Sequence, residues 1–405
     1  MAEGFPTRIG YAQALRIVRD AAARRRLPAE RVATRRADGR IVAHDLAAPI
    51  ALPSFDNSRM DGYAVRHADL RADAPVRLDI VGEQFAGAAV PVRVDADQCV
   101  RITTGAPIPA GADTVVIRER VREEGEAIVV EGAPAPGADI RRTGEDVAAG
   151  ETVLRAGDVL TPARLGLLAA LGVDAVEVSA RPTVAVFTTG DELVEPGLPL
   201  QPGQIYNGNR ELLMALLRAE GLEPTAWPAL PDDPARLASQ LGDAASAFDV
   251  VITCGGVSAG QKDHLPELLR AHGRIDFWKV RMKPGMPVLC GQWDRATVLA
   301  LPGNPVSALA TFLALGRPLL DGLQGRAARA RRHAVLATAW RKTQERHEFL
   351  RGGLHHGEDG RLSVRPHPAD ASHQLRAAAD SDALIVLEEG LRDHAAGDVV
   401  EIIAY

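Results

Sequence analysis

From residue 181 to about residue 323 the chain alternates short apolar strands with helices, a rhythm that few architectures accommodate. PTVAVFTTG is a strand running into a loop, and DVVITCGG is another that ends in glycines. Residues 210–220, 234–247 and 263–272 carry helical spacing, FWKV, PVLCG and TVLALPG read as further strands, and a long helix covers 306–323. Strands separated by helices need crossover connections, which produce a parallel sheet with both faces covered. Ligands of such sheets bind beyond the carboxyl ends of the strands.

Three glycine turns fall at those ends: TTGDE (188–192), TCGGVSAG (253–260, containing Ser258) and LPGNPVS (301–307, containing Ser307). Glycine lets backbone N–H groups approach an anion closely, and a helix N-terminus adds partial positive charge. One such turn says little; three in one domain predict a phosphate or nucleotide pocket. Carboxylates gather at the same ends: Asp191 and Glu192, Asp232 and Asp233 in PDDP, and Asp263. One or two carboxylates with waters suit Mg²⁺. Asp233, placed before a proline, reads equally as a helix cap, and Asp191 as an acceptor for turn amides. Lys279 and Lys283 in FWKVRMKPG supply cations after another strand.

A length of 405 residues allows two to four domains. Residues 51–141 alternate short β-type runs with Pro/Gly turns and read as a small β insertion domain. They interrupt a mixed N-terminal domain, 1–50 and 142–180, with helices over about 9–26 and 162–171. The αβ domain occupies 181–326, and 327–405 forms a C-terminal β domain of barrel or sandwich type. The expected fold class is therefore multidomain α/β plus β. A net charge of −6 argues against nucleic acid as a partner. The most apolar run, near 165–173, is too short for a bilayer, so no membrane partner is expected. Cys99, Cys254 and Cys290 have no CxxC spacing, and the N-terminus has no charged-then-apolar leader pattern. A reducing, cytoplasmic location fits both.

In the N-terminal half, PSFDNSRMDGYAV (53–65) crowds Asp56, Asn57, Ser58 and Asp61 among apolar residues. TGAPIPAGAD (104–113) is turn-rich, and RRTGED (141–146) offers two arginines and two acids. With TTGDEL, PGQIYNGN, PDDP, CGGVSAGQKD, FWKVRMKPG and LPGNPVSA, these motifs resemble the MoeA family and its relative, the gephyrin E domain. They occur in the family's order and spacing along essentially the whole chain.

The resemblance implies a four-part subunit whose αβ part is similar to the pterin adenylyltransferases. It also implies a homodimer with a cleft shared between subunits. The implied reaction is insertion of molybdate into adenylyl-molybdopterin with Mg²⁺-dependent release of AMP, in molybdenum cofactor biosynthesis. By motif position, Asp61, Thr104, Asp146, Glu192, Asp232 and Asp263 match the family's functional polar residues, with Asp232 and Asp263 on Mg²⁺. Ser258, Lys279, Lys283, Ser307, Arg351 (in FLRGG) and Ser372 (in ASH) match positions tied to substrate and molybdate. A contact with a molybdopterin adenylyltransferase is an expected partnership. Two other readings compete: the adenylyltransferase itself, which shares the GGVS turn but not the first 180 residues, and a non-catalytic scaffold. This chain departs from the family in reading KPGMP, with Met286 where a second lysine often stands, and more mildly at Gln261 and in ASH. The missing charge bears on molybdate affinity and on a choice between molybdate and tungstate.

Overall fold

The structure is a computed structural model that describes residues 4–87, 91–230, 233–258 and 263–405. The chain divides into two compact units, Met1–Glu30 with Val178–Tyr405, and Arg31–Glu177.

The larger unit is organised by one 12-stranded sheet. Its strands, numbered within this sheet, are β1 Thr7–Gly10, β2 Val184–Thr188, β3 Thr225–Ala226, β4 Val250–Cys254, β5 Arg274–Lys283 and β6 Leu289–Trp293. They continue as β7 Ala296–Leu301, β8 Arg332–Leu336, β9 His347–His356, β10 Leu362–Pro366, β11 Ala383–Leu387 and β12 Val399–Ala404. The order β3-β2-β4-β7 is parallel, and β6 runs antiparallel to both β7 and β5. Parallel strands buried on both faces should be continuously apolar. Every residue of β2, β4 and β7 is buried.

The sheet does not stop at the αβ segment. β5 pairs with β9 in parallel, Met282 opposite His347 and Lys283 opposite Glu348. From β9 the strands β10, β8, β12 and β11 follow, and β11 returns to β9, closing a five-stranded barrel. The barrel-like C-terminal part expected from sequence is thus present, fused edge-on to the αβ sheet. The ten-residue β9, which carries Arg351, has no counterpart among the strands expected from periodicity. Its charged residues, Glu348 and Arg351, break the apolar alternation that marks a strand.

Several helices end a few residues away from the sequence reading, and two of these differences are informative. Residues 7–10 form β1 alongside β5, so the first helix starts at Tyr11 and ends at Arg24, burying Ala14, Val18, Ala21 and Ala22. Pro305–Leu323 is 19 residues long and apolar enough to cross a membrane on length and composition, which corrects the choice of 165–173 as the most apolar run. It is a core helix, 78% buried, and it packs Val306, Leu309, Phe312, Leu313 and Leu320 against the sheet cluster. Burial of each such side chain stabilises by roughly 1.5–3 kcal/mol.

In the smaller unit a six-stranded sheet has the order Thr114–Ile117, Gly62–Val65, Gln98–Ile102, Val76–Gln84, Ala127–Val130 and Val121–Glu124. Tyr63, Leu78, Cys99, Val116 and Ile128 fill its core. A Cβ on Gly62 would lie 2.1 Å from the Val116 carbonyl oxygen, so the DGY motif needs glycine for close strand approach.

Candidate active site

Parallel register aligns the carboxyl ends of β2, β4 and β7: Thr188 lies opposite Cys254, and Cys254 opposite Leu301. The three glycine turns therefore emerge side by side. The Thr189 N–H donates to the Cys254 carbonyl and the Gly255 N–H to the Leu301 carbonyl, both at 3.0 Å. A Cβ on Gly255, at φ +101°, would sit 2.5 Å from Thr189 Oγ1. One on Gly190, at φ +139°, would strike the Glu192 carboxylate at 2.4 Å. Glycine is needed at both positions for space and for conformation.

Side chains then brace these turns from behind. Buried Asn207 caps the helix Gly208–Ala219 and donates through Nδ2 to Thr188 Oγ1 at 2.8 Å. Asn209 Nδ2 donates to the Gly303 carbonyl at 2.6 Å, and Arg210 forks onto Glu195. Exposed Ser258 and Glu192 lie on the turns themselves, and Asp263 is half-buried just before the helix Leu265–His272. Asp232 lies outside the described residues.

β5 shares its direction with β7, because both are antiparallel to β6, so Lys283 reaches the same edge of the sheet. Lys279, at φ +66°, has its Nζ 4.3 Å from the Trp278 ring centroid. The Lys283 ammonium pairs with Glu348 at 3.0 Å and Asp370 at 3.2 Å. Burial would lower the Lys283 pKa, but these two carboxylates outweigh it and hold the pKa above the ordinary lysine value. Gly285 lets this loop lie on the core helix, since its Cβ would come within 2.4 Å of Thr311 Cγ2.

Arg351 is 3% exposed and donates through Nη2 to the Ala369 carbonyl, while its Nε has no partner among the described residues. Burial pulls its pKa below the ordinary arginine value. Ser372 Oγ accepts from Asn304 Nδ2 at 3.0 Å, and its carbonyl accepts the Val306 N–H. Ser307 is buried in the first turn of the helix that follows. Lys283, Ser307, Arg351 and Ser372, far apart in sequence, thus belong to one neighbourhood around the residues 369–372.

The smaller unit brings Asp61 and Thr104 together: Asp61 accepts the Thr104 N–H at 2.7 Å and its hydroxyl at 2.9 Å. These bonds, the backbone one first, hold the Asp61 pKa below the usual carboxylate value. Asp56 likewise gathers the Thr143 N–H, the Arg142 guanidinium and the Thr143 hydroxyl. Asp146 is exposed, and its N–H donates to the Leu52 carbonyl.

No group of three or more His, Cys, Asp or Glu side chains among the described residues gathers as a metal cage. Mg²⁺ does not need one, since it takes one or two carboxylates and completes its shell with waters and substrate phosphates. Asp263 is the described carboxylate of the expected pair.

Comparison with known proteins then decides the family. Residues 9–172 match the MoeA N-terminal region (domain I and II), 185–322 a probable molybdopterin binding domain, and 333–405 the MoeA C-terminal region (domain IV). The chain belongs to the MoeA family. It is 41% identical over 370 residues to the molybdopterin molybdenumtransferase of Haemophilus influenzae, covering 90% of this chain and 91% of that one. Identity to molybdopterin molybdenumtransferase 2 of Mycobacterium tuberculosis is 39% over 378 residues, covering 90% and 92%. The MoeA crystal structure from Pyrococcus horikoshii superposes with a TM-score of 0.84 at 30% identity, covering 98% of this chain and all of the other. As a MoeA-family enzyme the chain works in molybdenum cofactor biosynthesis. Sequence reasoning missed Glu348 and Asp370. An acid inside the apolar run EFL was the signal for the first, and nothing in PADAS singled out the second.

Proposed function

We propose that this enzyme transfers molybdenum from molybdate to adenylyl-molybdopterin, releasing AMP. The observation that carries the reading is the set of three glycine turns aligned at one sheet edge beside Lys283. That edge suits an anionic, phosphate-bearing substrate, and the family relationship supplies the pterin. The glycine turns, open where a Cβ would intrude, take the phosphate end, and Lys283, Arg351, Ser307 and Ser372 receive the oxyanion through hydrogen bonds, charge-assisted at the two cations. Mg²⁺ at Asp263, with Asp232, would neutralise charge on the pyrophosphate. The protein acts as a homodimer in this reading. AMP release from adenylyl-molybdopterin, followed with molybdate and with tungstate on enzyme sized by light scattering, tests it. We expect metal-dependent AMP and a dimer; adenylyl-molybdopterin left intact with either oxyanion rejects the reaction.

A further inference from the structure

Residues 367–372 cross the cation pair as a strap. The His367 N–H donates to the Arg351 carbonyl at 2.8 Å, and the Ala369 N–H to His367 Nδ1 at 3.1 Å. The Ala369 carbonyl accepts from Arg351, Asp370 reaches Lys283 at 3.2 Å, and Ser372 rests on Asn304. Under the strap Lys283, Glu348, Arg351, His367 and Asp370 line a cavity of about 10 Å³. On that measure there is room for about one water, and a tetrahedral oxyanion with its four oxygens needs more. Arg351 nevertheless keeps an Nε donor with no partner among the described residues, although a buried donor of this kind costs free energy until something accepts from it.

Charge arithmetic separates the two carboxylates. Lys283 and Arg351 contribute two positive charges, Glu348 and Asp370 two negative ones, so the closed cluster is neutral. Glu348 is 2% exposed on β9 and belongs to the framework. Asp370 is exposed, on a segment held by a handful of hydrogen bonds. Its departure would leave a net charge of +1, which a dianion prefers.

We propose that Asp370 is a built-in competitor, its carboxylate holding the oxyanion's place on Lys283 until molybdate displaces it and opens the strap. The proposal rests on the molybdenumtransferase reading and adds a residue that sets oxyanion affinity. Because only the strap-open fraction binds, the apparent dissociation constant is raised by the inverse of that fraction. Asp370 is a positioning residue here, acting through Lys283.

The test is calorimetric titration of the full-length protein with sodium molybdate, together with hydrogen exchange at the 367–376 amides. Asp370→Asn should bind molybdate about tenfold tighter and exchange faster there without molybdate. Asp370→Glu, which keeps the charge, should return to the unsubstituted affinity. Molybdate should speed the same exchange in the unsubstituted protein. A folded Asp370→Asn protein with unchanged or weaker binding overturns the proposal, including the case in which neither protein binds. Arg351→Gln separates the layers: binding that survives it overturns the underlying site reading, whereas its loss with an inert Asp370→Asn overturns the strap alone.

Discussion

The glycine-turn edge and the strap-covered cation pair stand on the same sheet and are built from opposite materials. At 188–190, 254–256 and 301–304 the edge is shaped by backbone, fixed by register and by the absence of Cβ atoms. At Lys283 and Arg351 the working groups are side-chain charges, fixed by the counter-charges Glu348 and Asp370. A backbone site tolerates most side-chain changes and fails at glycine. A charged site fails when the partner of its buried member is removed, since Glu348 would then be left buried without compensation.

The largest effect should therefore come from Lys283→Met. Buried Glu348 would lose its ammonium, at a cost of about 3 kcal/mol. Molybdate binding should weaken at least tenfold in the same variant. Adding Glu348→Gln should recover much of the stability in thermal unfolding but none of the binding. If the double variant melts no higher than the single one, the ion pair is not what organises this side.

Next comes the backbone side. Gly255→Ala must place a Cβ at φ +101° against Thr189 Oγ1, and strain at such a position costs about 2 kcal/mol. We expect a lower melting point and a weakened response to the phosphate-bearing substrate, with molybdate titration little changed. Equal loss of both ligands would mean that the two halves of the edge are one coupled unit.

The same contrast explains what could be read from the sequence. The turns were legible because glycine, proline and asparagine have strong local preferences, and the strands leading to them are short apolar runs. The core helix Pro305–Leu323 announced itself through LPGNPVS, although its length was read one residue short. The Asp61–Thr104 contact joins two motifs already crowded with polar residues. Asp370 was not legible and Glu348 showed only as an acid in EFL, because the role of Glu348 depends on the lysine that the β5–β9 pairing brings opposite it, and Asp370 reaches that lysine from a distant segment. That pairing is non-local, and no periodicity within EFLRGG or PADAS encodes it. The closure of the C-terminal strands onto β5 escaped for the same reason.

The smallest effect is expected at Met286, the departure from KPGKP. Its side chain is 36% exposed, so it is not filler beneath the loop, and a lysine there would keep its ammonium in water. Two unit charges about 4 Å apart interact by roughly 4 kcal/mol at an effective dielectric of about 20. Exposure and salt reduce pairs of this kind to about 0–1 kcal/mol. Met286→Lys should therefore fold as stably as the unsubstituted protein and tighten molybdate about threefold at low salt, a gain that fades as ionic strength rises. The Asp370→Asn gain should survive added salt better, because the oxyanion it admits rests against Arg351, which is buried. Measuring both variants across a salt series sharpens the comparison. If Met286→Lys gives the larger and more salt-resistant gain, the loop rather than the strap controls access to the cation pair.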